Sequence, residues 1–173
     1  MVAAARIQQH GPRLLMPLRV LLAVFAAIAL LTQCAENDPV RRLASNQVST
    51  NATDAAAAAK LISQHRTAHG LSPVSVDTRL NEAAAVQARA VAEAGTLSHG
   101  AFESRMASFG IRGAAAENLT AGSDTVGKAV ARWTATPPHN SNLLLPEARR
   151  IGLARADSPG QGYGRYWALV LAQ

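Results

Sequence analysis

The stretch from Gly164 to Leu171 sets the tightest limit on the fold. Tyr166, Trp167, Leu169, Val170 and Leu171 make it the most hydrophobic part of the chain after its N-terminal leader. Apolar residues that do not alternate with polar ones predict a central strand. A second strand is predicted over Arg150 to Ala156, joined to the first by the turn Ser158-Pro159-Gly160-Gln161-Gly162. Whatever else the chain forms must cover these strands.

The cover is supplied upstream by helices. Thr53 or Asp54 can cap a helix over 54 to 69, in which alanines give way to Leu61, Ile62 and His65 before Gly70 ends it. Pro73, Val74 and Val76 make a short extended link, and Asp77 offers an N-cap for a second helix over 78 to 94. Leu80, Ala84, Ala88 and Val91 fall on one stripe of that helix, and their small size lets another element approach closely. Phe102, Met106 and Phe109 have near-helical spacing in a brief segment ended by Gly110. Asp124 is predicted to cap a third helix with Val126, Ala129, Val130 and Trp133 at i, i+3, i+4 and i+7, which Pro137-Pro138 cannot continue. A loop is read over Asn142 to Pro146. Periodicity alone leaves Ala114 to Leu119 open between helix and strand, since alanine favours helix. Helices first and antiparallel strands late fit an α+β layered domain, and no internal repeat is present.

The N-terminus reads as an export signal. Arg6, Arg13 and Arg19 precede an apolar run from Val20 to Leu31, and no acidic residue occurs before Glu36. The run is short for a bilayer span, which needs about 20 residues, so cleavage or lipid anchoring is expected. Cys34 follows Leu31-Thr32-Gln33, where a lipoprotein signal places its lipidated residue, although Gln33 stands where such signals have a small one. The other reading is an ordinary signal peptide cut nearby. Cys34 is the single cysteine, so no intrachain disulfide can form and stability rests on packing. The expected organisation is a signal peptide over 1–34, a flexible polar linker over 35–53 and one domain over 54–173. Formal charge is +6, but from residue 34 onward there are 14 basic and 11 acidic side chains. With no basic run longer than the pairs Arg41-Arg42 and Arg149-Arg150, nucleic acid is not an expected partner.

Candidate chemistry is scattered: Leu97-Ser98-His99, Ala116-Glu117-Asn118, and a segment running from Trp133 through Thr136-Pro137-Pro138-His139-Asn140-Ser141-Asn142-Leu143-Leu144 to Ile151-Gly152-Leu153. Together with Asn81-Glu82-Ala83-Ala84 and Tyr166-Trp167, in this order, the pattern resembles the CAP superfamily of cysteine-rich secretory proteins, antigen five and plant pathogenesis-related proteins. More narrowly it resembles the short, cysteine-poor bacterial SCP-like branch, from near Asp54 to the C-terminus. The resemblance implies a three-layer α-β-α sandwich with a mainly antiparallel central sheet, and it makes Ala114 to Leu119 a strand. It also implies a cleft with two histidines and two glutamates. His99, Glu117 and His139 match three of these positions, whereas the second glutamate is expected just after Trp133, where Thr134-Ala135-Thr136 stands uncharged.

The ligand-binding set implied is therefore His99, Glu117, His139, Thr136 and Asn118, with His99, Glu117 and His139 the candidates for catalysis. Two imidazoles and a carboxylate can hold zinc or another divalent cation, His99 and His139 being the metal ligands, though no cofactor is required. Without metal the same trio can do acid-base work. It can also be a satisfied buried network that ties loops to the sheet. The reading preferred is an exported envelope protein, periplasmic or extracellular, either anchored to the membrane through a lipid at Cys34 or released by cleavage, that binds a small apolar, lipid or envelope-derived ligand. The alternatives are a metal-assisted, peptidase-like hydrolase and a structural or interaction domain; binding is favoured over turnover. Ser98, Ser104 and Ser141 lie in no Gly-x-Ser-x-Gly turn. His65 and His69 are read as a solvated helix end, Trp133, Tyr166 and Trp167 as core, and Arg105 and Arg149-Arg150 as surface charges.

Overall fold

The computed structural model describes residues 47–49, 52–159 and 162–173; Cys34, the apolar leader run and most of the expected linker lie outside them. The elements are β1 (Gln47–Ser49), α1 (Ala52–Ala68), β2 (Ser75–Val76), α2 (Thr78–Ala94), α3 (Phe102–Ser108), β3 (Ala115–Ala121), α4 (Val126–Ala135), α5 (Pro137–Leu143), β4 (Arg150–Asp157) and β5 (Arg165–Ala172). One sheet runs in the order β1-β4-β5-β3, and β2 joins the outer side of β4. Every pairing is antiparallel except β2 with β4, so the sheet is mixed.

β5 is central, and both its faces are covered. Tyr166, Ala168, Val170 and Ala172 enter one core with Leu80, Ala84, Ala88 and Val91 of α2 and Met106 of α3. Trp167, Leu169 and Leu171 enter the other with Ala58 and Ile62 of α1, Ala129, Val130 and Trp133 of α4 and Leu143 of α5. Because successive strand residues point to opposite faces, a strand covered twice has no polar position left, hence the unbroken apolar run. The result is the expected α-β-α sandwich.

The α2 layer sits unusually close to the sheet. Asp77 caps α2 by accepting from Leu80 N at 3.0 Å, and Gly95 ends it in the left-handed region at φ 68°. At Gly152 of β4 a Cβ atom would overlap the Leu80 backbone, so only glycine leaves room for the first turn of α2. Asn81, one residue on, places its Oδ1 2.9 Å from Leu153 N. That amide lies on the outer side of β4 between the stretches paired with β2 and β1. The side chain thus completes a ladder that backbone leaves open.

Three expectations need correction. The linker expected over 35–53 contributes β1, because a three-residue strand is held by backbone pairing to Arg155–Asp157 and needs no apolar pattern. The N-cap of α4 is Thr125, which accepts from Lys128 N at 3.3 Å, whereas Asp124 makes an exposed ion pair with Lys128. Pro137-Pro138 does end α4 but also starts α5, since proline at the first helical positions loses no hydrogen bond. His139 and Asn142 are therefore helical residues.

Gly152→Ala is expected to lower unfolding stability by about 3 kcal/mol, at the upper end of overpacking penalties because the obstacle is backbone. Chemical denaturation checks it, and an unchanged midpoint would contradict the close approach.

Candidate functional site

Glu117 and Asn118 are neighbours on β3, so their side chains leave opposite faces of the sheet. Glu117 points into the layer of α2 and α3. Its side chain is 2% exposed, and its two oxygens meet His99 Nδ1 at 2.9 Å and Arg105 Nη2. Arg105 Nη1 also donates to Gln87 Oε1 of α2 and, at 3.3 Å, to the carbonyl of His99. Gln87 Nε2 donates in turn to the carbonyl of Ser98. The segment carrying Ser98 and His99 has no regular structure of its own, and this network fixes it to α2, α3 and β3. His99 itself keeps a side chain 56% exposed.

Asn118 points the other way and is fully buried. Its Nδ2 donates to the carbonyl of His139 at 2.9 Å, and its Oδ1 accepts from Asn142 Nδ2 at 2.9 Å. The same Asn142 amide donates to the Glu117 carbonyl at 3.1 Å. β3 is an edge strand, and its outward carbonyls at Glu117, Leu119 and Ala121 are taken by Asn142, Trp133 Nε1 and Arg132 Nη1 respectively. Side chains of α4 and α5 thereby close the edge, which would otherwise offer itself to another strand.

His139 lies on α5 and is half-buried. Burial, and then the nearby charge of His99, hold its imidazole below the ordinary histidine range. Its Nδ1 is buried without a hydrogen-bond partner among the described residues. Thr136 sits at the cap of α5, but its hydroxyl donates back to the carbonyl of Arg132 at 2.9 Å. Of the residues expected to contact ligand, then, His99 is exposed and His139 half-buried, Glu117 stands behind His99, and Asn118 and Thr136 have their side chains engaged in internal bonds. The donor set fits a metal centre through Glu117 poorly, since both carboxylate oxygens are committed, one of them to a guanidinium. Among the described residues no group of three or more His, Cys, Asp or Glu side chains is arranged to hold an ion.

Arg105 corrects the reading of it as a surface charge: its side chain is 9% exposed and paired with Glu117. A signal for it was present, because it lies three residues after Phe102 and four before Phe109, on the inward face of α3. His65 is likewise no free helix end; its Nε2 lies 2.7 Å from Asn140 Oδ1 of α5.

Residues 59–171 match the family model of the cysteine-rich secretory protein family, CAP, and the chain belongs to that family. Solved structures agree in fold. The chain is similar to an outer surface protein of Borrelia burgdorferi, with 18% identity and a TM-score of 0.64 over 74% of this chain and 98% of that one. It is similar also to an extracellular SCP-domain protein of Bacillus anthracis, with 17% identity and a TM-score of 0.60 over 70% of this chain. A cysteine-rich secretory protein of Staphylococcus aureus gives 16% identity and a TM-score of 0.56 over 72% of this chain. The chain spans 40% of the length of each of these last two proteins. No curated protein matches the sequence.

Two outcomes test this geometry. Asn118→Ala should cost about 1–3 kcal/mol of stability, measured by denaturant unfolding, because the His139 carbonyl and the Asn142 amide lose their partner. His139 has a folded-state pKa below its usual 6.5, so the unfolded chain binds its proton first as pH falls. Stability contributed by the neutral ring is full above that value and is lost as pH drops through the depressed one. His139→Gln should flatten this part of the stability-pH profile, and an unchanged acid limb would disprove the assignment.

Proposed function

We propose that this chain is an exported binding module of the bacterial cell envelope, anchored through Cys34, whose cleft between His99 and His139 receives a lipid or other small envelope-derived molecule. The observation that carries the proposal is the contrast between the exposed imidazole of His99 and the enclosed Glu117–Arg105 pair that holds it. Ordering an exposed ring with a buried carboxylate and guanidinium is costly in desolvation. A ring held this way is prepared for contact with something in solvent. His139, neutral by virtue of its burial, offers a second polar contact that does not repel a cationic or apolar ligand. Export is supported by the arginine-rich start and apolar run of the leader. It is supported also by the descriptions of two similar structures as an outer surface and an extracellular protein.

Binding is preferred over turnover because Glu117 is committed on both oxygens and Thr136 leaves the position of a second carboxylate uncharged. The test is thermal unfolding of the purified full chain against a panel of bacterial lipids and cell-wall fragments. A ligand at about a hundred times its dissociation constant stabilises by about 2.7 kcal/mol, a rise in Tm on the order of 5–10 °C for a domain of this size. The rise should disappear in His99→Ala and in His139→Ala. A panel that leaves Tm unmoved at saturating concentrations would end the proposal.

A further inference from the structure

The C-terminal end of α1 carries two histidines that a solvated helix end would leave turning in water, and here each ring is pinned. His65 lies in the last turn of α1 and His69 just beyond it, with ring centroids 4.6 Å apart and tilted by 55°. Each ring spends one nitrogen on an oxygen. His69 Nδ1 lies 2.8 Å from the backbone carbonyl of His65, and His65 Nε2 lies 2.7 Å from Asn140 Oδ1 of α5. A carbonyl oxygen only accepts, so these two nitrogens are the donors. In the neutral rings the lone pairs are left on His65 Nδ1 and His69 Nε2, and no hydrogen bond from the described residues reaches either.

Metal-bound histidines have this arrangement, with one nitrogen on the ion and the other donating to an oxygen that fixes the ring. Four residues is also the separation at which two histidines on one helical face share a zinc ion. The last carbonyls of a helix carry partial negative charge, which favours a cation at this end. We infer that His65 and His69 form a metal site of their own, taking zinc or a similar nitrogen-seeking divalent cation through His65 Nδ1 and His69 Nε2, with Asn140 as the positioning residue that holds the His65 ring. His69 is exposed and His65 half-buried, so the site opens at the surface. Among the described residues no third His, Cys, Asp or Glu completes a set with them, and water fills the remaining positions. Imidazole suits zinc, copper and nickel, whereas magnesium and calcium take oxygen ligands. The site uses neither His99 nor His139, and it stands or falls separately from the proposed cleft.

The probe is zinc chloride added to the full chain, isotope-labelled at histidine, in buffer above the titration range of the imidazole. Long-range proton–nitrogen NMR spectra report each ring separately, with His65→Gln and His69→Gln assigning the signals. Before zinc is added, hydrogen is expected on His65 Nε2 and His69 Nδ1. Zinc is expected to move the resonances of His65 Nδ1 and His69 Nε2 together, with one midpoint, and magnesium to move neither. Asn140→Ala should weaken zinc at this pair by about 10- to 100-fold, the usual loss when a ligand's outer partner is removed. Asn140→Asp keeps an oxygen acceptor and should bind zinc at least as tightly as the wild-type chain, which a merely structural role for Asn140 would not require. Zinc that leaves both rings unmoved, moves only one of them, or moves only His99 and His139 overturns the inference. So does an equal response to magnesium, or an Asn140→Ala chain with undiminished zinc affinity.

Discussion

A β-strand sends neighbouring side chains to opposite faces, and at Glu117-Asn118 that rule sets the polar networks that hold both histidine segments. Glu117 gathers α2, α3 and the His99 segment through Arg105 and Gln87; Asn118 gathers α5 through the His139 carbonyl and Asn142. Each histidine is held by a different member of the pair, one through its ring and one through its backbone. Slipping β3 by one residue would exchange the two faces, leaving a carboxylate against α5 and a carboxamide beside Arg105. Register is thus enforced by polar partners as well as by Leu119 and Ala121 in the α2-side core.

Buried charge adds little net stability, since desolvation offsets most of the attraction, while breaking such a pair costs several kcal/mol. The Glu117–Arg105 pair is therefore better understood as a device for geometry. Arg66 makes the same point without any carboxylate. It is fully buried in α1 and donates to the carbonyls of Ser72, Leu143, Leu145 and Ala148, at 2.8 to 2.9 Å. Burial and the charge of Arg149 hold its guanidinium below the ordinary arginine range. Those carbonyls have no helix or strand partner to turn to, and one planar cation satisfies them together. The turn that carries the chain from α5 into β4 is shaped around it.

The layered fold was legible because its signals are periodic. Leu80, Ala84, Ala88 and Val91 announce the inward face of α2, and the unbroken apolar run of β5 announces a strand covered twice. His99, Glu117 and His139 were legible through the order of short motifs. What escaped was a set of polar residues lying on apolar stripes. Gln87 falls between Ala84 and Val91, Arg105 between Phe102 and Phe109, and Arg66 four residues beyond Ile62. Each occupies a position where periodicity demands burial and composition suggests solvent. Such conflicts mark buried networks, because only a satisfied polar group can stay there. The short strand β1 escaped for a different reason: three residues held by backbone alone leave no trace in side-chain pattern.

The two histidines are chemically unequal, and Thr136 is the source of the inequality. A carboxylate at this cap position could have faced His139 as Glu117 faces His99. Thr136 instead turns its hydroxyl to the Arg132 carbonyl, and His139 is left to burial and to the charge of His99, both of which disfavour its proton. One ring is thereby held by a buried carboxylate, and the other is left to burial.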